Sequence, residues 1–325
     1  MVRATAFQEG KFVMDAIPVI DVSGLTSEDV ADRRKVAAQL GHACRGIGFF
    51  YVANHGIPAA SREATFAAAH TFFGWPLETK EEFLFKGDRG FVAVEKEALD
   101  ERAGHSDYKE ALGIGLDLAA DDPEVLAGKP FRGVNMWPTV PGWRETVLDY
   151  YDRCLALGRL IHRGFALDLD LQENFFEDKL DAPLATLRML HYPLQPAGRP
   201  RTPDSGAGEH TDYGNLTVLA TDGVAGLQVR TRNGDWVDAP YIPDTFICNI
   251  GDCLMRWTND VYVSTPHRVG TPVRDRYSLA FFLDPNPDAR VEVLAKCLAP
   301  GAYPKYPPIS GADYLRERLD ASRTA

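Results

Sequence analysis

The spacing of apolar residues changes along the 325-residue chain. Before about residue 185, apolar positions recur mostly every three or four residues, the helical period. Val36, Leu40, Ala43 and Cys44 predict one helix, capped by Thr26 or Ser27 and stopped by Gly46 and Gly48. A second runs from about Ala60 to Phe73 and stops before Pro76. The longest covers residues 142 to 168, with Val147, Tyr151, Cys154, Gly158, Ile161 and Phe165 on one face, and is expected to back a sheet. Two β runs lie among these helices, Ile17 to Val22 and Phe49 to Val52, whereas residues 87 to 140 show no clear period. From Leu187 the runs become short and β-branched: Leu187 to Tyr192, Leu216 to Ala220, Leu227 to Val229, Thr245 to Ile250, Val261 to Ser264 and Tyr277 to Leu283. Turn signals separate them, among them Arg232-Asn-Gly-Asp235 and Gly251-Asp252. Many short strands at this spacing predict a sandwich or barrel. A closing helix is expected over Gly311 to Leu319. The organisation expected is an α/β cap region over residues 1–140 and, over 141–325, the long helix with a β core, the two forming one unit.

Composition narrows the class. The chain is 45% hydrophobic and 25% charged, ordinary for a globular protein. A net charge of −11 repels phosphate backbones, which argues against nucleic acid as a partner. The five cysteines are an odd number with no Cys-x-x-Cys pair, which suits free thiols in a reducing cytoplasm. The first twenty residues carry no apolar signal core, and the run Ile47 to Ala53 is far too short to span a bilayer. The expectation is a soluble cytoplasmic protein acting on a small molecule, with its oligomeric state left open.

The candidate chemistry starts at His210-Thr-Asp212. If these residues lie on a strand, His210 and Asp212 point one way and Thr211 the other. His267, 57 positions on (267 − 210), can come from a neighbouring strand. Two imidazoles and one carboxylate form the facial ligand set of non-haem Fe(II), which leaves coordination positions open for a chelating co-substrate and dioxygen. The bland alternative is an isolated His-x-Asp with an unrelated histidine downstream. His55, His70, His105, His162 and His191 fall outside the pattern and are expected to be structural or surface residues. Arg276 and Ser278 form a second same-face pair, nine positions after His267 (276 − 267). A guanidinium and a hydroxyl together suit a carboxylate, and Tyr192 can add a phenolic hydrogen bond. The alternative for Arg276 is a surface salt bridge to Asp275 or Asp284.

Several longer segments carry a family resemblance: Ile17-Pro-Val-Ile-Asp21, Gly48-Phe-Phe-Tyr-Val-Ala-Asn-His-Gly-Ile57, His191-Tyr-Pro193, His210-Thr-Asp-Tyr-Gly214, Asn249-Ile-Gly-Asp252, Trp257-Thr-Asn259, Ser264-Thr-Pro-His-Arg-Val269 and Arg276-Tyr-Ser278. In this order, they make nearly the whole chain resemble the isopenicillin N synthase-like family of Fe(II)/2-oxoglutarate-dependent oxygenases, in a bacterial-type form. The resemblance implies a mainly β fold with a double-stranded β-helix, or jelly-roll, core flanked by helices. It implies His210, Asp212 and His267 as iron ligands, with Arg276, Ser278 and Tyr192 on the distal carboxylate of 2-oxoglutarate. The implied reaction consumes dioxygen, releases succinate and carbon dioxide, and oxidises an unactivated C–H bond. Hydroxylation is the first expectation, with desaturation or cyclisation as other outcomes. By family analogy Phe91, Tyr108, Arg188 and Phe282 line the substrate pocket, where Arg188 meets an anionic substrate or serves as a framework cation. Lys109 and Glu110 are expected to form a local ion pair. The chain departs from many plant members at Leu190, where they carry asparagine.

Three other readings compete. An oxidase of the same fold could grip its substrate's carboxylate with Arg276 and Ser278 and use no 2-oxoglutarate. A hydrolase could hold Zn(II) in the same triad. A jelly-roll module could bind without catalysis.

Overall fold

The computed structural model describes residues 17–85, 89–99, 106–198 and 202–321. Strand β1 (Val19–Asp21) leads into helix α1 (Val30–Arg45) and strand β2 (Phe49–Ala53), then helices α2 (Ala59–Phe73) and α3 (Leu77–Glu81). Strands β3 (Gly90–Val92) and β4 (Glu110–Gly115) follow, then the short helix α4 (Pro123–Leu126) and the 26-residue helix α5 (Trp143–Asp168). The later strands of the two main sheets are β5 (Ala185–Tyr192), β6 (Ala207–His210), β7 (Leu216–Thr221), β8 (Leu227–Arg230), β9 (Trp236–Asp238), β10 (Phe246–Ile250), β11 (His267–Val269) and β12 (Arg276–Leu283). Helix α6 (Asp252–Trp257) lies between β10 and β11, and α7 (Gly311–Ala321) closes the described chain.

These strands make a jelly-roll of two facing sheets. The larger has eight strands in the order β1-β2-β10-β7-β12-β5-β4-β3, and the smaller has four in the order β6-β11-β8-β9. Residue alternation divides the larger sheet's side chains between two cores. Tyr277, Leu279, Phe281 and Leu283 of β12, with Leu187 and Met189 of β5, face the layer of helices α1, α2 and α5. Ala280 of β12, with Leu190 and Tyr192 of β5, faces the smaller sheet. Burial on both sides explains why β2 reads as an unbroken apolar run and β10 as one interrupted only by Asn249. Each buried Phe or Leu in these layers contributes about 1.5–3 kcal/mol by leaving water. Four cysteines, Cys44, Cys154, Cys248 and Cys253, are buried free thiols on the helix side; Cys297 is also free and half-buried. No helix among the described residues is long and apolar enough to cross a membrane.

Several local expectations need correction. The cap of α1 is Asp29, whose carboxylate accepts from Ala31 N–H at 2.8 Å; Ser23–Thr26 is a 3-10 turn and the Ser27 hydroxyl bonds to Asp32 instead. Val261 to Ser264 is not a strand. Val261 N–H donates to Thr258 and Tyr262 N–H to the Thr258 hydroxyl, so these residues close the turn after α6, and the strand starts at His267. The aperiodic stretch 87–140 contains β3 and β4. Strand β4 reads Glu-Ala-Leu-Gly-Ile-Gly, with small residues where the chain packs closely. A Cβ at Gly115 would lie 2.5 Å from the Arg89 guanidinium. Strands from the first 140 residues thus extend the same sheet as the later ones.

Gly48 connects this architecture to the site. Its φ is +71°, and a Cβ there would lie 2.3 Å from the Val263 carbonyl oxygen. The close approach lets Thr265 donate to Ile47 O at 2.7 Å and Val263 N–H to Cys44 O at 2.9 Å, docking the segment that leads into His267. Gly56 has a similar φ of +77° with nothing within 4 Å. Gly56→Ala should therefore cost only the left-handed strain, about 1–2 kcal/mol. Gly48→Ala should cost about 2–5 kcal/mol, because overpacking against a backbone oxygen adds to it. Urea denaturation of the two variants measures the difference, and equal losses would contradict the close-packed turn.

Candidate active site

His210 ends β6 and His267 begins β11, and the two are direct cross-strand partners. Their rings lie 4.3 Å apart between centroids, and Phe49 of β2 packs edge-on against His267 at 5.3 Å. Asp212 lies beyond the end of β6, so the same-strand argument that paired it with His210 is replaced by a turn. That turn is pinned by Asp252 N–H, which donates to the Asp212 carbonyl at 2.8 Å, and by the Thr211 hydroxyl, which donates to the Asp252 carboxylate at 3.1 Å. The Thr211 hydroxyl is thereby turned to Asp252, although the residue also borders the cavity described below.

The three side chains converge: one ligand atom from each lies within 4.8 Å of the others. Asp212 Oδ1 is 3.8 Å from His210 Nε2 and 3.6 Å from His267 Nε2. Backbone carbonyls set both imidazoles. His210 Nδ1 is 2.7 Å from Gly208 O and His267 Nδ1 is 3.1 Å from Thr265 O, which places the proton on Nδ1 and turns the Nε2 lone pair inward. Asp212 Oδ2 accepts from the Thr217 hydroxyl at 2.5 Å and from the Asn249 amide at 2.8 Å, leaving Oδ1 for the centre. Burial and the neighbouring His267 push the His210 pKa down to about 3, so its imidazole stays neutral. Burial pushes the Asp212 carboxyl up, but the two imidazoles and the hydrogen bonds from Thr217 and Asn249 outweigh it and hold the group below its usual range. Two imidazole nitrogens and a carboxylate oxygen suit Fe(II).

A cavity of about 1020 Å³ opens from this triad. Arg276 and Ser278 of β12 line it, both almost fully buried, and Tyr192 is the cross-strand partner of Arg276, with its ring 4.7 Å from the guanidinium carbon. Arg276 Nε donates to Val224 O at 3.3 Å, but Arg276 Nη1 and Ser278 Oγ have no partner among the described residues. Two buried donors without an acceptor, facing a cavity, fit an incoming carboxylate. The alternative salt bridge does not form among the described residues. Asp275 accepts from Leu194 N–H, and Asp284 Oδ1 has no partner.

The expected substrate contacts divide. Phe91, Arg188 and Phe282 line the cavity; Tyr108 does not. Tyr108 is out of phase with Lys109, Ala111 and Gly113, the residues that face the smaller sheet and the cavity. Lys109 and Glu110 do not pair with each other, because adjacent residues leave a strand on opposite faces. Glu110 bonds Lys80 at 2.6 Å and His191 at 2.8 Å on the helix side. Lys109 faces the cavity side, paired with Asp107 and with Glu97 at 3.0 Å, and Arg188 clasps both Glu97 oxygens at 3.2 and 3.1 Å. Asp107 also accepts from Gly208 N–H at 2.9 Å, and the Gly208 carbonyl is the one that orients His210. Sequence reasoning missed Glu97, Asp107 and Thr217; the alternating Asp107-x-Lys109 was the signal available. Of the histidines set outside the pattern, His55 packs on Phe246, His70 and His191 on Tyr277, and His162 is buried against Gly158 O, while His105 lies outside the described residues.

Comparison with known proteins agrees with this geometry. Residues 17–140 match the family model described as non-haem dioxygenase in morphine synthesis N-terminal, and residues 184–285 match that of the 2OG-Fe(II) oxygenase superfamily. A 2-oxoglutarate-Fe(II) type oxidoreductase of Emericella nidulans is 37% identical over 310 residues, covering 93% of this chain and 88% of its own. The homoarginine-6-hydroxylase of Oryza sativa subsp. japonica is 34% identical over 317 residues, covering 94% and 96%. The crystal structure of a full-length Neurospora crassa protein in complex with alpha-KG superposes with a TM-score of 0.82 at 33% identity, covering 94% of this chain and 96% of that one. With the jelly-roll, the His-Asp-His centre and the open guanidinium already in place, the chain belongs to the 2OG-Fe(II) oxygenase superfamily and is an oxidoreductase that works with Fe(II), 2-oxoglutarate and dioxygen.

Proposed function

We propose that His210 Nε2, Asp212 Oδ1 and His267 Nε2 hold the iron, and that Arg276, Ser278 and Tyr192 hold the far carboxylate of 2-oxoglutarate. A small organic molecule in the remaining cavity is the substrate, with hydroxylation of an unactivated C–H bond as the first expected outcome. When bound, iron and 2-oxoglutarate supply the oxidising power by coupling dioxygen reduction to release of succinate and carbon dioxide. The chain's own residues bind, orient and exclude water. Gly208 O and Thr265 O fix the tautomers of the two imidazoles, and Thr217 and Asn249 aim one carboxylate oxygen. Leu190, Leu219, Ala280 and Phe282 form an apolar wall from which water is displaced as substrate enters.

The observation that carries the 2-oxoglutarate assignment is the pair of buried, unpartnered donors on Arg276 and Ser278. An oxidase without 2-oxoglutarate could use the same two donors; the family match and the named relatives favour the 2-oxoglutarate reading over it. The free thiols support a reducing, cytoplasmic setting.

Anaerobic titration with Fe(II) and 2-oxoglutarate, followed by a metabolite screen for stimulated succinate release, tests the assignment. Substrate oxidation without stoichiometric succinate would sink it. Asp212→Ala and His267→Ala are each expected to abolish iron-dependent turnover, and full activity in either variant removes that residue from the ligand set. Thr217→Val should weaken Fe(II) binding about 10–100-fold by freeing one side of the carboxylate. Arg276→Lys should raise the 2-oxoglutarate Kd about tenfold or more, since a point charge cannot reproduce the planar fork; an unchanged Kd by calorimetry argues against the clamp.

A further inference from the structure

Charged side chains on the cavity wall are mostly already satisfied. Lys109 is taken by Asp107 and Glu97, Arg188 by both oxygens of Glu97, and Arg132 by Glu124 and the Pro183 and Ala182 carbonyls. Asp284 is different. It follows the last residue of β12 and continues the cavity-facing phase of Arg276, Ser278, Ala280 and Phe282. It is 7% exposed, lines the cavity beside Gly214, and its Oδ1 has no hydrogen-bond partner. No cation pairs with it among the described residues. Burial, with a smaller contribution from Asp212, pushes its pKa up to about 7. A carboxyl group serving the fold alone would accept hydrogen bonds from neighbouring N–H groups, as Asp122 does from Glu124 N–H.

We propose that Asp284 is a substrate-recognition residue, whose carboxylate accepts a hydrogen bond from an N–H or O–H donor on the substrate. This rests on the assignment of the cavity as the substrate site of a 2-oxoglutarate-dependent oxygenase. Arg276 and Asp284 lie eight residues apart on the strand (284 − 276), roughly 26 Å at about 3.3 Å per residue. Strand β12 therefore offers a cation for the co-substrate at one end and an anion for the substrate at the other. The same arrangement excludes an anionic substrate group from this end. Arg188, the cation expected to meet one, already spends its fork on Glu97. An uncompensated buried carboxylate would repel a second negative charge.

The test uses the full-length protein loaded with 2-oxoglutarate and with Zn(II) in place of iron, so that binding is measured without turnover. The probes are benzylamine and benzamidine as cationic donors, benzamide as a neutral donor, and N,N-dimethylbenzamide and benzoate as donor-free counterparts, each titrated by calorimetry. Donor probes are expected to bind at least tenfold tighter than their donor-free counterparts. Asp284→Leu should remove that preference while leaving 2-oxoglutarate affinity unchanged. Asp284→Asn should keep benzamide binding within a few-fold and lose the advantage of the cationic probes. The proposal is overturned if donors bind no tighter than donor-free probes, or if Asp284→Leu retains the preference. Failure of the wild type to bind 2-oxoglutarate would instead overturn the functional assignment beneath it. A second readout separates recognition from folding. Because the folded-state pKa is raised, the carboxyl costs stability progressively as pH rises through 4 to 7, and fully above that range. Asp284→Asn should therefore raise the melting temperature of the unliganded protein more at pH 8 than at pH 5. A lowered melting temperature at both values would mark Asp284 as a fold contact and overturn the proposal.

Discussion

The active centre depends on how the two oxygens of Asp212 are used. One accepts from Thr217 on β7 and Asn249 on β10, both strands of the larger sheet; the other faces His210 and His267, which belong to the smaller sheet. A carboxylate left free at both oxygens would rotate, and its electron pairs would serve the centre only part of the time. Holding one oxygen with two donors removes that freedom and offsets part of the cost of burying the charge. The turn carrying Asp212 is fixed in its backbone by Asp252 at the start of α6. The centre is therefore assembled at the seam between the sheets, and its geometry is only as good as their packing. This is why Gly48, far from the centre in sequence, matters: it lets the 263–265 segment settle on the α1–β2 turn and deliver His267 in register.

Much of the fold was legible because the decisive signals were local. Helix α5 could be traced from its apolar spacing to within a residue at its start, and β2, β5, β7, β8, β10 and β12 appeared as β-rich runs bounded by turns. What failed had non-local causes. Strand β4 sets Leu112 and Ile114 among two glycines, an alanine and a glutamate, and becomes a strand because β3 and β5 flank it. Val261 to Ser264 has strand composition, but its backbone is committed to Thr258 and to Cys44. In the site, residue types at set spacing, read with the family resemblance, singled out His210, Asp212 and His267, which the structure brings together, and Arg276, Ser278 and Tyr192, which line the same cavity. They could not reveal that a turn, and not a strand, presents Asp212. Nor could they show that Glu97, ninety-one residues before Arg188, occupies its guanidinium. Partner choice across such distances is decided by the tertiary fold.

The ion network beside the centre has a role beyond neutralising charge. Glu97 and Asp107 together satisfy Lys109 and Arg188, and Asp107 reaches on to Gly208, whose carbonyl sets His210. One wall of the cavity is thus in hydrogen-bonded continuity with His210.

The cysteines carry a separate consequence. Cys44, Cys154 and Cys248 lie on the helix side of the larger sheet, and burial pushes the Cys154 thiol up to about 12. Sulfur reacts with oxidants chiefly as thiolate, and these three groups are held as thiols on the side of the sheet away from the His-Asp-His centre. The fold therefore keeps its most oxidisable core atoms out of reach of stray products of its own chemistry, a form of self-protection that comes from the alternation of side chains across one sheet.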